Sequence, residues 1–138
     1  PTNTSGGQVL RVGSEIIGGV STKDEVVIFT DSGVYSMRFV GPPNVFSFTL
    51  ITEGVGIVSA ASAANAANAV FFMADNAFYV YQGSVSILQS SVAKYVFDDF
   101  NYDQKEKCFA ALAIWWKTNT TGRLGGMLPF LMRLGQRM

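Results

Sequence analysis

Short runs of β-branched and aromatic residues, each closed by Gly, Pro, Asn or Asp, recur along this chain, and residues 25–43 set the pattern. Residues 26–29 form one such run, and Asp31, Ser32 and Gly33 carry turn chemistry. Residues 34–40 then alternate between two sets of positions until Gly41, Pro42 and Pro43 stop them. A period of two on both sides of a tight turn predicts a β-hairpin. The same pattern returns at residues 70–73, the Asp75-Asn76 turn and residues 78–81, closed by Gln82 and Gly83. Aligning Phe29 with Phe72 offsets the two copies by 43 residues, and aligning Tyr35 with Tyr79 offsets them by 44. An interval of about 40–50 residues is that of propeller blades, in which a four-stranded sheet recurs around an axis. The fold class expected is therefore all-β, with antiparallel hairpins forming part of a β-propeller. At about 44 residues per blade the chain holds two to three blades. Tyr35, Phe39, Phe72, Tyr79 and Tyr81 are the expected hairpin core, and Gly33, Gly41, Pro42, Pro43 and Gly83 the expected turn positions.

The other segments fill in around these hairpins. Residues 9–12, 15–20, 45–52 and 85–88 read as further short strands. Residues 59–69, SAASAANAANA, have helical alanine content, but their Ser and Asn residues favour turns and they lack an apolar stripe. A loop plus a short strand is expected there. Residues 91–94 read as a connecting segment, residues 103–107 as a turn or one helical turn, and residues 108–116, CFAALAIWW, as a last strand. Beyond Trp116 the sequence is Gly-rich, basic and irregular, which divides the chain into a propeller segment, 1–116, and a C-terminal arm, 117–138.

Composition agrees with a packed β protein: 49% of the 138 residues are apolar, 14% are charged, and there are 11 Phe, 5 Tyr and 2 Trp. No apolar stretch reaches the roughly 18 residues of a membrane helix, so a soluble chain without membrane insertion is expected. A start at Pro1, with neither Met nor a basic-then-apolar leader, predicts an excised piece of a longer protein. Net charge is zero but uneven. Residues 1–116 set Arg11, Lys23, Arg38, Lys94, Lys105 and Lys107 against all ten carboxylates, leaving −4. The arm carries Lys117, Arg123, Arg133 and Arg137 and no acid, giving +4. An acidic body lacks the basic face with which nucleic-acid binders displace phosphate counterions.

Catalytic chemistry finds little to work with. The chain has no His, which removes the commonest general base and metal ligand, and its single Cys108 reads as a buried core thiol. Asp99, Asn101 and Asp103 have the alternate spacing of a calcium loop, but Gln104 and Ala110 stand where such a loop needs Gly and Glu, so turn capping is expected of them. The glycine pairs near residues 6 and 54 lack the residues of a phosphate loop. No catalytic, cofactor-binding or metal-binding residue is therefore assigned, and no cofactor is expected.

Four stretches taken together carry a resemblance: FTDSGVYSMRFVGPP, VFFMADNAFYVYQGSV, YVFDDFNYDQ and the Trp115-Trp116 pair. In order and approximate spacing they resemble the tail-hub and packaged-DNA-stabilisation proteins of short-tailed bacteriophages, the nozzle or tail-tube subunits, over residues 10–116. Lys117 onward does not resemble that family, whose members are several times longer. The resemblance implies a β-propeller-containing subunit of a hexameric ring below the portal, without catalysis. Its implied task is to help retain packaged DNA in the virion and conduct it during ejection. The implied partners are identical subunits, portal or adaptor and other tail proteins, and DNA passing without sequence-specific binding; no small-molecule substrate is implied. Arg123, Arg133 and Arg137 are candidate subunit contacts.

Two other classes stay open on the residues alone. A carbohydrate- or protein-binding propeller would leave planar Trp or Tyr faces exposed beside Asp or Asn in repeated pockets. A sialidase-type hydrolase would need a Tyr–Glu pair and an Arg cluster in a central pocket, and only Arg11 and Arg38 precede the arm.

Overall fold

The computed structural model describes residues 7–66, 68–91 and 93–110, together with the backbone of residues 112–113 and 131–132. Two four-stranded antiparallel meanders make up its body. The first contains β1 (Ile16–Ser21), β2 (Val26–Thr30), β3 (Gly33–Phe39) and β4 (Phe46–Glu53), hydrogen-bonded in that order. The second repeats the plan with β5 (Ala63–Ala66), β6 (Ala69–Met73), β7 (Phe78–Tyr81) and β8 (Val85–Ile87). A mostly β architecture built on the two anticipated hairpins is what the sequence pattern predicts. The alanine-rich stretch is also as anticipated: a turn, then the short strand β5, although alanine alone favours helix.

Register fixes how the two hairpins correspond. Phe29 pairs with Val34 across the first turn and Met73 with Phe78 across the second, with four residues between the partners in each case. Residue i of the first hairpin therefore matches residue i + 44 of the second on both strands, since Phe29 to Met73 and Val34 to Phe78 are each 44 apart. The alignment of Tyr35 with Tyr79 is right, and the alignment of Phe29 with Phe72 is one residue out. In a strand, one residue is the difference between the two faces. Phe29 and Phe72 are not equivalents but opponents, and they meet across the gap between the sheets with ring centroids 4.8 Å apart.

That gap is the main core. Val27, Phe29 and Val34 from the first sheet pack on Val70, Phe72, Tyr79 and Tyr81 from the second, with Ile57 from the connector. The first strands β1 and β5 lie beside one another, and both are built of small residues where the sheets converge. A side chain on Gly18 would bring its Cβ 3.1 Å from the Cβ of Ala60. The connector from β4 to β5 crosses the hairpin ends and is stitched to both sheets: the N–H of Ile57 donates to the carbonyl of Thr30 at 3.4 Å and that of Val58 to the carbonyl of Met73 at 3.0 Å.

A second core lies on the far side of the second sheet, where Met73, Phe78, Val58 and Cys108 are covered by α1 (Ala93–Asp98) and the residues after it. The sequence reading missed this helix, taking residues 91–94 as a connection. Its apolar residues Ala93, Val96 and Phe97, with Phe100 just beyond it, nonetheless stand at helical spacing. Exposed Lys94 and Asp98 pair at 2.8 Å one turn apart. A kinked 3-10 helix, Tyr102–Lys107, follows, satisfying the expectation of a helical turn. Asn101 caps it, its Oδ1 accepting from the N–H of Asp103 at 3.1 Å, which is the capping role expected of that acidic stretch.

Several expectations require correction. Residues 9–12 form no strand: no strand lies alongside them, Val9 is 87% exposed, and the backbone of Val12 bonds the Tyr35 hydroxyl instead. Phe39 is not core but 71% exposed, because it lies on a face of the first sheet that no other sheet covers among the described residues. Gly33 is not a turn residue but the buried start of β3, kept free of a side chain by close approach, since a Cβ there would lie 2.9 Å from Val12 Cγ1. Residues 108–110 are not strand; β9 (Leu112–Ala113) is the short strand found beyond them, paired with β10 (Leu131–Met132). Trp115, Trp116, Arg123, Arg133, Arg137 and the arm apart from β10 lie outside the described residues.

Gly41 and Gly83 do occupy turn conformations, with φ of +82° and +83°. Nothing would touch a Cβ on Gly41, so Gly41→Val tests conformation alone. The expected loss is about 1–2 kcal/mol, read from the urea midpoint. An unchanged midpoint would mean that the Gly41-Pro42-Pro43 connector has no hold on the hairpin.

Candidate functional site

The largest concentration of interacting polar side chains lies where the two sheets meet, around Glu25 at the entrance to β2. Burial of Glu25 is set by the chain itself, because the residues after it, Val26–Thr30, must run into the core. The Glu25 side chain is only 9% exposed. Tyr81, at the end of β7, reaches across the interface and donates its phenol to Glu25 Oε1 at 2.6 Å. Ser36 and Arg38, on one face of β3, close on the other oxygen: the Ser36 hydroxyl donates to Oε2, and Arg38 Nε donates to it at 2.8 Å. Both carboxylate oxygens are thus occupied, by one strand of the first sheet and one of the second.

The electrostatics follow from this geometry. Burial raises the carboxyl pKa of Glu25, but hydrogen bonds from Arg38, Ser36 and Tyr81 outweigh it and hold the group below its ordinary value. Burial, and then the adjacent carboxylate, push the Tyr81 phenol upward, so it stays a neutral donor. A carboxyl with a depressed folded pKa contributes stability that is present above the unfolded value and lost as pH falls through the folded value. Glu25→Gln should therefore flatten the acid side of the stability profile, measured as urea midpoints between about pH 6 and pH 3. Part of the slope will remain, because Asp31 is depressed in the same direction by hydrogen bonds from Ser14. A profile identical to that of the parent would show that Glu25 is not held ionised by its partners.

Tyr81 and Glu25 are the pairing a sialidase-type centre requires, yet they are placed as a tie. Tyr81 is 1% exposed, its proton is engaged by Glu25, and one guanidinium adjoins the pair where that chemistry needs several. Sequence reading assigned Tyr81 to the core and missed its polar role. Glu25 and Tyr81 are 56 residues apart, and only the apolar runs beside each hinted that both would be drawn inward.

A second knot anchors the approach to β1. Asp31 Oδ1 accepts from the N–H of Ser14 at 2.8 Å and that of Glu15 at 3.3 Å, while Ser14 Oγ donates to Oδ2 at 2.7 Å. Beside it, Tyr35 Oη accepts from the N–H of Val12 at 2.7 Å and donates to its carbonyl at 3.2 Å. These contacts hold residues 12–15 across the first hairpin.

Of the remaining candidates, Cys108 is 2% exposed with its thiol 3.8 Å from Met73 Sδ, and burial pushes its pKa up, away from the thiolate a nucleophile needs. Tyr35, Phe72, Tyr79 and Tyr81 are buried as expected of hairpin core. Among the described residues, no group of three or more His, Cys, Asp or Glu side chains is placed to hold a metal ion, and no helix is long and apolar enough to cross a membrane. A cavity of about 420 Å³ opens between Gly7, Gln8 and the Val40–Phe48 side of the first sheet. No protein-family model matches this sequence, and no curated protein matches it either.

Proposed function

We propose that this chain is a β-propeller segment of a structural virion protein, a tail-hub or head-to-tail connector subunit whose ring surrounds the DNA channel of a short-tailed bacteriophage. The observation that carries the reading is the way the two meanders repeat. They stack face to face with their small first strands together, and the chain passes from the fourth strand of one to the first strand of the next. The step then recurs: β9 lies beside β5 as β5 lies beside β1, starting 49 residues after β5, which itself starts 47 after β1. A wedge of sheets meeting at their first strands is the geometry that closes into a propeller when enough blades follow. Two of the four stretches that resemble the tail proteins coincide with the two hairpins, whereas YVFDDFNYDQ lies on α1 and the start of the 3-10 helix.

The role is mechanical and electrostatic. Interlocked meanders give a stiff wall, and a body of net charge −4 over residues 1–116 grips few phosphates, which lets DNA slide. Of the six cations in that body, Arg38 and Lys94 are engaged by Glu25 and Asp98. The test is the mass of the full-length protein in solution by light scattering, with the segment located in a cryo-EM map of its assembly. A ring of about six subunits around a channel is the expected result. A stable monomer with open aromatic pockets would overturn it in favour of glycan binding.

A further inference from the structure

The two outermost strands of the body end their sheets in different ways. β8, the edge of the second sheet, is three residues long and offers a partner little to pair with. β4, the edge of the first, runs for eight residues, FSFTLITE, and among the described residues no strand lies on its other side. Proteins blunt such edges with shortness, Lys, Pro or a bulge. β4 has neither Lys nor Pro, and its one charged residue is the terminal Glu53. Its irregularity falls at Ile51, between the Val34–Thr52 and Tyr35–Leu50 pairs. Residues 46–50 are left as a regular edge with an open row of backbone donors and acceptors.

The cavity described above runs along this edge. Consecutive strand residues point to opposite faces, so a space that touches Phe46, Ser47 and Phe48 together lies beside the backbone, at the rim where both faces are reached. It measures about 420 Å³, and Gly7 and Gln8 form its far wall. No charged side chain lines it.

We propose that this edge takes an extended, uncharged segment of another protein as a fifth strand, antiparallel to β4 over residues 46–50. The edge presents N–H and C=O groups at a repeat that an extended polypeptide backbone matches, which selects a peptide over a sugar or a lipid. The flanking side chains select its residues: apolar ones beside Phe46, Phe48 and Leu50, and small polar ones beside Ser47 and Thr49. An ionic side chain would enter a cavity with no countercharge. Neither the edge nor the cavity depends on the virion reading.

The probe is a capped peptide of about six residues alternating valine and threonine, titrated into the full chain and followed by amide NMR shifts. Saturable binding is expected, with hydrogen exchange slowed at alternate amides of residues 46–50. Two further peptides, N-methylated on one or the other alternate set of residues, should separate. One should bind at least about tenfold more weakly because it has lost the ladder donors, and the other should bind like the parent. The protein is unchanged throughout, so misfolding cannot imitate this result. Equal weakening by both methylated peptides overturns the proposal, as does the absence of saturation at millimolar peptide. Exchange that is already slowed at those amides in the chain alone, and slows further as its concentration rises, also overturns it, because the edge then belongs to a second copy.

Discussion

Replacing Phe72 by alanine is expected to cost about 3–5 kcal/mol of stability, the range for deleting a fully buried aromatic side chain. Phe72 is 0% exposed, stacks on Tyr79 at 5.5 Å and meets Phe29 at 4.8 Å, so its ring joins its own hairpin to the opposite sheet. Loss of the ring removes apolar burial and leaves a void between two sheets whose backbones are fixed by their own ladders and by the connector. Partial collapse is therefore the most the site can manage. Urea unfolding should show a lower midpoint with an unchanged slope. Val9→Ala, at a position 87% exposed, should stay within about 0.5 kcal/mol. A Phe72→Ala loss no larger than that of Val9→Ala would mean that the sheets do not pack as described.

Gly56→Ala is expected to be destabilising out of proportion to the single methyl added. A Cβ at residue 56 would overlap the carbonyl oxygen of Asp31 and lie 2.7 Å from its carbonyl carbon. These are backbone atoms, and a backbone cannot rotate away as a side chain can. The Asp31 side chain is meanwhile held by Ser14 and Glu15, so moving this turn disturbs the approach to β1 as well. The expected loss lies at or above the top of the range of about 1–3 kcal/mol for overpacking. Thermal unfolding reads it directly. Hydrogen exchange adds a second test, since the Ile57 amide next to Gly56, which donates to the Thr30 carbonyl, should lose protection. A melting temperature equal to that of the parent would place the connector elsewhere.

The hairpins were legible because their signals are local: β-branched and aromatic runs broken by Asp31-Ser32 and Asp75-Asn76 announce a turn within a few residues. Even the alanine-rich stretch yielded to its Ser and Asn content. The helix over residues 93–98 was legible in principle, but Lys94 and Asp98 amid Tyr and Val obscured a stripe that only the spacing of Ala93, Val96, Phe97 and Phe100 reveals. Phe39 was misplaced because alternation tells which residues share a face, not whether anything covers it. Residues 9–12 misled for the converse reason: a β-branched run is a strand only where a neighbour offers its edge, and Tyr35 offered a hydroxyl. The Glu25–Ser36–Arg38–Tyr81 knot was beyond local reading altogether. Its members come from two sheets, and a hydrogen bond across 56 residues depends on how those sheets stack.

The connector through Ile57 and Val58 also governs how the molecule bears load. Its successive amides donate to opposite sheets, so tension applied along the chain is passed to both meanders together. Drawing one sheet off the other means shearing these bonds, prising Phe29 from Phe72 and pulling Tyr81 from Glu25 in the same displacement. Under traction the pair behaves as a single rigid link, and extension in a pulling experiment should come as one rupture spanning both sheets and not as two successive steps.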